Sequence, residues 1–290
     1  MGRILESNVP LLQLTTKCTC VSRGAAESFQ DSGEAEPKNM AFFDVLYMEH
    51  GLLLLQWFTT VETAPLRLTC RAFCDGVAKY PWCDWSRAVR DVVLWRRCFP
   101  AARGCAVAPA CQLTDATVEL VFGREPEGGN VARCGMTALS LPCQRLLTDQ
   151  AFCQFTELEV LHLLHARHLS LSGAALAQLE RIQSLDLSWT NALDREDVGD
   201  VWLADATLAR VGRNLRRLSL TSCWQLTDAA LAHLAHCRLE FLDVSHTWLT
   251  GAGFLHLKNV EQLELRANHC RRLGDAAFEH LVGVDALDVS

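Results

Sequence analysis

The stretch Leu215–Asp228, which reads LRRLSLTSCWQLTD, decides the fold of this chain. It opens with Leu215, Leu218 and Leu220, in the pattern L-x-x-L-x-L. Leucines at alternate positions have the period of a β-strand that buries one face, whereas the apolar run 229–234 has the spacing of a short helix. The stretch therefore predicts a strand, a turn and the start of a helix.

The same pattern recurs along the chain. Further copies begin at Met136, Leu158, Ile182, Leu239, Val260 and Val284, and Cys105-x-Val107 is a degenerate first copy. From Leu139 the central apolar residues step by 22, 24, 33, 24, 21 and 24 residues, which indicates one insertion within 191–205. One unit cannot bury its leucines alone, but stacked units align their strands in a parallel sheet. We therefore expect an α/β solenoid over 103–290, with the strands on its concave face and helices outside.

Two further positions recur in each unit. A tripeptide close to Leu-Thr-Asp follows each strand after a fixed interval, at 113–115, 147–149, 226–228, 249–251 and 273–275. Its Thr or Asp is expected to cap the next helix by accepting free backbone N–H groups. A small polar residue comes just after the strand, at Thr190, Cys223, Thr247 and Asn268, and is predicted to bond the backbone of the next coil.

The composition excludes several classes of function. The chain has 290 residues, 27 Lys and Arg against 34 Asp and Glu, and a net charge of −7. This acidity argues against a general binder of anionic membranes or of nucleic acid, which is expected only within a larger assembly. No apolar run reaches the length of a membrane span. The 14 cysteines are scattered without a secretory signal, which indicates reduced thiols and a cytoplasmic protein, with the nucleus and organelles left open.

The part of the chain before the repeats divides into two pieces. Residues 1–40 are predicted to be a disordered leader, because they contain a segment rich in Ser, Gly, Ala and Glu without a regular apolar period. Residues 41–102 are predicted to form a unit of three short helices. A break at 61–65 follows the first helix, the second runs from near Leu66 to Pro81, and the third covers 85–98.

The repeats resemble the leucine-rich-repeat superfamily. The cysteine-containing subtype has the pattern L-x-x-L-x-L-x-x-C-x-x-L-T-D, which Leu215–Asp228 matches. The resemblance covers the chain from about Cys105 to its end. It implies a solenoid that binds other macromolecules.

The helical unit at 41–102 resembles an F-box. That motif reads L-L-x-x-I-x-x-F, then after a break L-x-x-x-C-R-x-F, and closes on Pro and Trp. This sequence has LLLLQWF at 52–58, LRLTCRAF at 66–73 and Pro81-Trp82. It departs from the family at 49–51, where Glu-His-Gly replaces the usual Leu-Pro opening. A plain helical cap over the first repeat is the alternative, and the two are compatible.

The F-box resemblance implies a substrate receptor of an SCF-type, cullin–RING ubiquitin ligase, acting in ubiquitin-dependent protein catabolism. The F-box would hold a Skp-type adaptor of the cullin complex, and the repeats would present the target. The implied residues, divided between the helical core and an adaptor patch, are Leu52, Leu55, Phe58, Pro65, Leu66 and Phe73. The alternative function is a non-catalytic repeat scaffold in a cytoskeletal, organellar or ribonucleoprotein assembly.

The middle residue of each L-x-L strand is predicted to point onto the concave face. These residues are Ser140, His162, Asp186, Ser219, Asp243, Glu264 and Asp288, with Arg266 as the main nearby counter-charge. Because most of them are acidic, one hypothesis is that the face binds a protein target with a basic segment; ordinary solvated positions are the other. Trp189, Trp224 and Trp248 lie just past strand ends, as interaction anchors or as covers of the core.

No pattern in the sequence indicates catalysis, a metal or a cofactor. The run His162-x-x-His165-x-x-His168 spans a strand and its turn, which would splay the three rings, and it lacks further ligands at a recognised spacing. Nucleotide-binding glycine motifs, catalytic serine motifs and zinc-protease motifs do not occur. The chain ends on the strand pattern around Asp288, which predicts an open sheet edge that docks, self-associates or reflects a truncated sequence.

Overall fold

Nine parallel strands lie side by side in chain order within the described part of the computed structural model. The structure describes residues 55, 58–68, 71–123, 135–166, 169, 171–190, 203–257, 262–281 and 284–290, without the side chains of 64, 66, 71–73, 86 and 280. All of these residues belong to one unit, Asn39–Ser290. The predicted leader and most of the predicted insertion lie outside the described residues.

Strands and helices alternate along the chain. The strands are β1 (Cys83–Val89), β2 (Gly104–Val107), β3 (Ala138–Ser140), β4 (Val160–His162), β5 (Ser184–Asp186), β6 (Arg217–Ser219), β7 (Phe241–Asp243), β8 (Leu263–Arg266) and β9 (Val284–Asp288). The helices are α1 (Thr60–Leu66), α2 (Arg71–Lys79), α3 (Val92–Cys98), α4 (Asp115–Phe122), α5 (Asp149–Phe152), α6 (Gly173–Ala177), α7 (Asp205–Leu208) and α8 (Ala229–His233), with 3-10 helices at Ala252–Leu257 and Asp275–His280. One helix or 3-10 helix separates each strand from the next, which confirms the α/β leucine-rich-repeat solenoid.

The central leucines form the spine of the core. They pair in register across β3–β8 and are at most 1% exposed: Leu139, Leu161, Leu185, Leu218, Leu242 and Leu265. Leu287 continues this row in β9 but is 45% exposed. Each buried leucine stabilises the fold by about 1.5–3 kcal/mol relative to an exposed one. The stacking of identical positions therefore sets the order of the strands.

The register of β8 corrects one part of the predicted alignment. The sequence pattern aligns Leu263 with Leu242 and puts Glu264 in the middle row. In the structure Leu242 pairs with Leu265, so Arg266 occupies the middle row and Glu264 lies one row back. Leu263 and Leu265 are both 0% exposed, and this is why alternation of apolar residues does not separate the two registers.

The turn after each of the strands β3–β8 has the same geometry. It contains a residue with a left-handed backbone, φ 55° to 59°, at Cys143, His165, Trp189, Ser222, His246 and His269. The N–H of each donates to a carbonyl of the following coil over 2.8–3.2 Å. This residue comes four positions after the central leucine, and His269 has that distance only from Leu265. The turn geometry and the strand pairing therefore agree.

The predicted bond from the polar residue after the strand to the backbone of the next coil is formed by Asn268, whose Oδ1 accepts the Ser290 N–H over 2.9 Å, but not by Cys223. The Cys223 thiol donates to the Leu187 carbonyl over 3.2 Å, in the preceding coil. The equivalent residue of the last turn is Cys270 rather than Asn268, because the register moves by two. Its thiol donates to the Val244 carbonyl over 3.1 Å. Burial raises the pKa of the Cys223 thiol to about 11, so this cysteine is a packed, unreactive group.

The threonine and the aspartate of the Leu-Thr-Asp tripeptide have different roles. The Thr148 hydroxyl accepts the N–H of Gln150 at the start of α5, so the predicted cap is confirmed for threonine. The aspartate instead joins neighbouring coils: the Asp115 carboxylate accepts both the N–H and the hydroxyl of Thr148, over 2.9 and 2.6 Å. Asp149, Asp205 and Asp228 repeat this bond with the cap residue of the next coil.

The helices before the repeats differ from the prediction in two places. Helix α1 runs through the break predicted at 61–65, because Thr59 and Glu62 form a capping box that starts it there. Strand β1 replaces the first part of the helix predicted at 85–98. It pairs with β2, Cys83 beside Gly104, where a Cβ would lie 2.4 Å from the Cys83 sulfur. Sheet pairing therefore outweighs the helical spacing of this segment.

The first coils and the helices before them share a core. Trp82 is 2% exposed, donates from its indole Nε1 to the Val77 carbonyl over 2.8 Å, and contacts the Tyr80 and Phe99 rings. Trp95 and Phe99 of and after α3 are also buried. This part of the chain closes the N-terminal end of the repeat core.

Candidate protein-binding surface

The concave face of the sheet presents a regular row of side chains along the described strands. Its middle row consists of Ser140, His162, Asp186, Ser219, Asp243, Arg266 and Asp288, each paired with the next across β3–β9. Ser140 is buried, the next four are half-buried, and the last two are exposed. All the predicted concave residues except Glu264 therefore lie in this row.

The acidic charge of this row is interrupted at Arg266. Its guanidinium donates to Glu264 over 2.7 Å and lies 5.2 Å from the centre of the Phe241 ring. The Arg217 guanidinium approaches the same ring to 4.4 Å. Adjacent strands lie about 4.8 Å apart, so Arg266 screens Asp243 and Asp288 from each other. The face therefore carries both acidic side chains and the predicted counter-charge Arg266, which lies in the middle row itself.

The aspartates of the row are held by the turn that follows their own strand. Asp186 and Asp243 each accept the N–H of the serine two residues later, over 2.9 Å. Asp288 accepts from the Asn268 side-chain amide over 3.0 Å. This bond, together with those from Ser290 and the charge of Arg266, holds the pKa of Asp288 below its ordinary value. The three carboxylates are thus fixed in position by hydrogen bonds.

An aromatic side chain lies across the N-terminal end of the face. The rings of Trp85, in β1, and His162, in β4, are 4.8 Å apart in an edge-on contact. The two strands between them place the small residues Ala106 and Ser140 there, so the indole has room to reach across. Burial lowers the pKa of His162, and this effect is larger than the opposing effect of the Asp186 charge. The lowered pKa favours a neutral imidazole at pH 7.

A rim of aromatic and imidazole rings lies beyond the C-terminal ends of the strands, at and after the left-handed turns. Trp189 stacks on His165 at 5.6 Å, His246 lies 4.7 Å from His269, and Trp248 stacks on Trp224 at 6.3 Å. The Arg272 guanidinium covers Trp248 at 5.0 Å. Trp189 is 40% and Trp248 48% exposed, so a large part of each indole is open to a partner.

Large side chains in a left-handed conformation are a cost to the fold. This conformation costs about 1–2 kcal/mol for residues other than glycine and, at times, asparagine or aspartate. His165, Trp189, His246 and His269 adopt it in four coils. The residue types at these positions do not predict the left-handed conformation, because it becomes visible only once the strand register is known. Sequence reasoning therefore located the three tryptophans of the rim but missed the left-handed backbone of Trp189 and the histidines.

The predicted adaptor residues are only partly described. Leu55 is 5% exposed and belongs to the core, whereas Phe58 is 44% exposed and Pro65 is exposed. Leu52 and the side chains of Leu66 and Phe73 lie outside the described residues. Another set emerges around α1, where the exposed side chains of Phe58, Val61, Pro65 and Leu68 recur at helical spacing. They form one apolar face, here called the α1 face.

The described residues contain no group of three or more His, Cys, Asp or Glu side chains that could hold a metal ion. His168 of the predicted histidine run lies outside them. Within the same residues no helix is long and apolar enough to cross a bilayer.

Comparison with known proteins gives only distant structural likenesses. No family model and no curated protein matches this chain. Internalin C2 of Listeria monocytogenes has 18% identity and a TM-score of 0.36, over 61% of this chain and 84% of its own. A chain of the mouse RP105/MD-1 complex has 19% identity and a TM-score of 0.37, over 67% of this chain and 39% of its own. A chain of the yeast Rad7 and Elc1 complex has 15% and 0.31, over 87% and 90%. These values assign neither a family nor a function to the chain.

Proposed function

We propose that this chain is a non-catalytic protein-binding subunit whose target lies on the concave face. The observation that carries the proposal is the rim, where exposed tryptophan and histidine side chains are kept in a costly backbone conformation beside aspartates that hydrogen bonds hold in place. Buried tryptophan contacts dominate many protein interfaces, and fixed charges select the partner. Trp189 and Trp248 are the anchors in this proposal.

The target that fits this face best carries a short basic segment. Asp186 and Asp243 lie two strands apart, with the neutral Ser219 between them. Two lysine or arginine side chains of an extended segment match this pair of carboxylates. Arg266 limits the basic contact to the central coils, because it repels a positive charge next to Asp243.

We further propose that the part before the repeats holds a Skp-type adaptor, which makes the chain a cytoplasmic substrate-recognition subunit of an SCF-type ubiquitin ligase. Two features support this role: the F-box-like pattern at 52–73 and the exposed α1 face. An apolar helix face of this kind is an expected site for a partner rather than for water. Leu55 fills the core beneath it.

A pull-down with a purified Skp-type adaptor tests the adaptor role. Phe58→Asp combined with Leu68→Asp is expected to abolish capture, because both charges enter the α1 face. Leu146→Asp is the matched control, since Leu146 is 55% exposed on the repeats. It should be captured like the wild type. Leu55 is unsuitable for this test because a buried aspartate there disrupts folding.

A scaffold subunit of a larger assembly is the second candidate. It is favoured by the shared core of Trp82, Trp95 and Phe99, which gives the helical part a sufficient role as a cap. If the wild type captures no adaptor, or if the α1-face variant is captured equally well, the scaffold replaces the ligase subunit.

A further inference from the structure

A second surface lies along the edge where the helices end and the strands begin. It is a groove of about 1230 Å³ that crosses five consecutive coils. Glu159, Gln183, Arg216, Glu240 and Gln262, each directly before a strand, form one of its walls. None of its lining residues belongs to the concave middle row, the rim or the α1 face. The groove is thus separate from the surfaces of the proposed function.

The groove is basic, although the chain as a whole carries a charge of −7. Its lining residues include four arginines, Arg181, Arg213, Arg216 and Arg238, against two glutamates. Arg216 donates to the Glu240 carboxylate. Arg181, Arg213 and Arg238 are exposed and have no ion-pair partner among the described residues. Three guanidinium groups are therefore available to a ligand.

These three arginines recur once in each of three neighbouring coils. Each follows the helix of its coil, Arg181 after α6, Arg213 after α7 and Arg238 after α8. An extended peptide that runs across the coils meets one guanidinium in each. A guanidinium presents planar paired donors that match the oxygens of a phosphate or carboxylate, and a phosphate carries more charge and more acceptor oxygens.

We propose that this groove binds an extended protein segment that bears several phosphoserines. Glu159 and Glu240 in the lining repel a continuous chain of phosphates, which disfavours nucleic acid. The residues that line it include no Trp, Tyr or Phe on which bases stack. Discrete phosphates separated by neutral residues fit between these glutamates and contact the arginines. The inference is independent of the adaptor and of the concave face.

Fluorescence anisotropy of the full chain tests this proposal with a labelled peptide of alternating phosphoserine and glycine. We expect saturable binding that is at least about tenfold tighter than that of the serine–glycine peptide. Arg213→Glu combined with Arg238→Glu should weaken it by at least about tenfold, because two charge-assisted contacts become repulsive. Arg145→Glu combined with Arg97→Glu, at exposed positions outside the groove, makes the same change in net charge and should bind like the wild type.

Three results would overturn the proposal. These are equal binding of the two peptides, unchanged binding by the double variant, and groove-dependent binding of a single-stranded oligonucleotide that is tighter than that of the phosphopeptide. Thermal unfolding of each variant confirms the fold. Arg213→Gln with Arg238→Gln, which removes charge without reversing it, should give an intermediate loss. A loss of adaptor capture by α1-face variants leaves these measurements unaffected, so the two proposals fail separately.

Discussion

At the scale of single residues, the aspartates of the three exact Leu-Thr-Asp tripeptides, Asp115, Asp149 and Asp228, bind one coil to the next. Asp228 shows this most fully, because its carboxylate accepts the N–H and hydroxyl of Thr250 and the N–H groups of Gly251 and Gly253. Gly251 is required there, since its φ is 87° and a Cβ would lie 2.1 Å from the Ala277 Cβ. One carboxylate thus orders the start of the whole next coil.

We expect Asp228→Ala to lower the free energy of unfolding by about 1–3 kcal/mol, because three N–H groups and a hydroxyl lose a charged acceptor. Burial acts to raise the pKa of Asp228, but hydrogen bonds from Gly253, Thr250 and Gly251 together hold it below 3.8. Its contribution is therefore complete above pH 3.8 and is lost as the pH falls below that value. Urea unfolding at pH 7 and at low pH measures both effects.

The control for this residue is Asp275→Ala. Asp275 has the equivalent position in the last tripeptide, but it has no partner among the described residues. Its replacement should change stability by less than about 0.5 kcal/mol. Equal losses in the two variants would contradict the role of the aspartate as a link between coils.

At the scale of elements, the leucine row makes the strands unequal. Leu265 in β8, between β7 and β9, is 0% exposed, whereas Leu287 in β9 is 45% exposed. Leu265→Ala should therefore cost about 2–5 kcal/mol of unfolding free energy. Leu287→Ala, the matched change in the same row, should cost less than about 1 kcal/mol. Chemical denaturation compares the two, and a larger cost for Leu287 would exclude the observed burial.

The elements also show how far the sequence predicts the structure. The strand order and the buried leucines follow from the period of the pattern, because each leucine has one neighbour of the same type in each adjacent coil. The register of β8 does not, since Leu263 and Leu265 satisfy the same apolar alternation. Strand β1 was missed because a pairing partner, β2 with its Gly104, outweighs the spacing of Val89, Val92 and Val93.

The site was predictable to a similar degree. Position in the repeat places Asp186 and Asp243 on the concave face, as observed. Arg181 and Arg238 hold the same position before the first apolar residue of their repeats, but the left-handed backbone of the rim and the lack of ion-pair partners in the described part of the groove are visible only in the structure. Positions in the repeat can be read from the sequence, whereas backbone conformation and contacts between coils cannot.

At the scale of the whole molecule, surfaces of opposite charge lie on the same coils. Asp186 and Asp243 mark the concave face, and Arg213 and Arg238 mark the groove. Within the described residues, the leucine spine and the helices hold these surfaces in one unit. Salt weakens contacts between exposed charges, so each surface should bind its ligand less tightly as ionic strength rises.

A charge reversal on the concave face tests whether it selects a basic partner. Asp186→Lys combined with Asp243→Lys should weaken binding of a labelled lysine–glycine peptide by at least about tenfold, because two attractive contacts become repulsive. Glu119→Lys combined with Glu279→Lys, at exposed positions away from the sheet face, makes the same change in net charge and should leave the affinity unchanged. The phosphopeptide of the groove should bind the variant with Asp186→Lys and Asp243→Lys at least as tightly as it binds the wild type. If the lysine–glycine peptide binds the concave variant and the wild type equally, the concave face does not choose its target by charge, and the rim alone carries recognition.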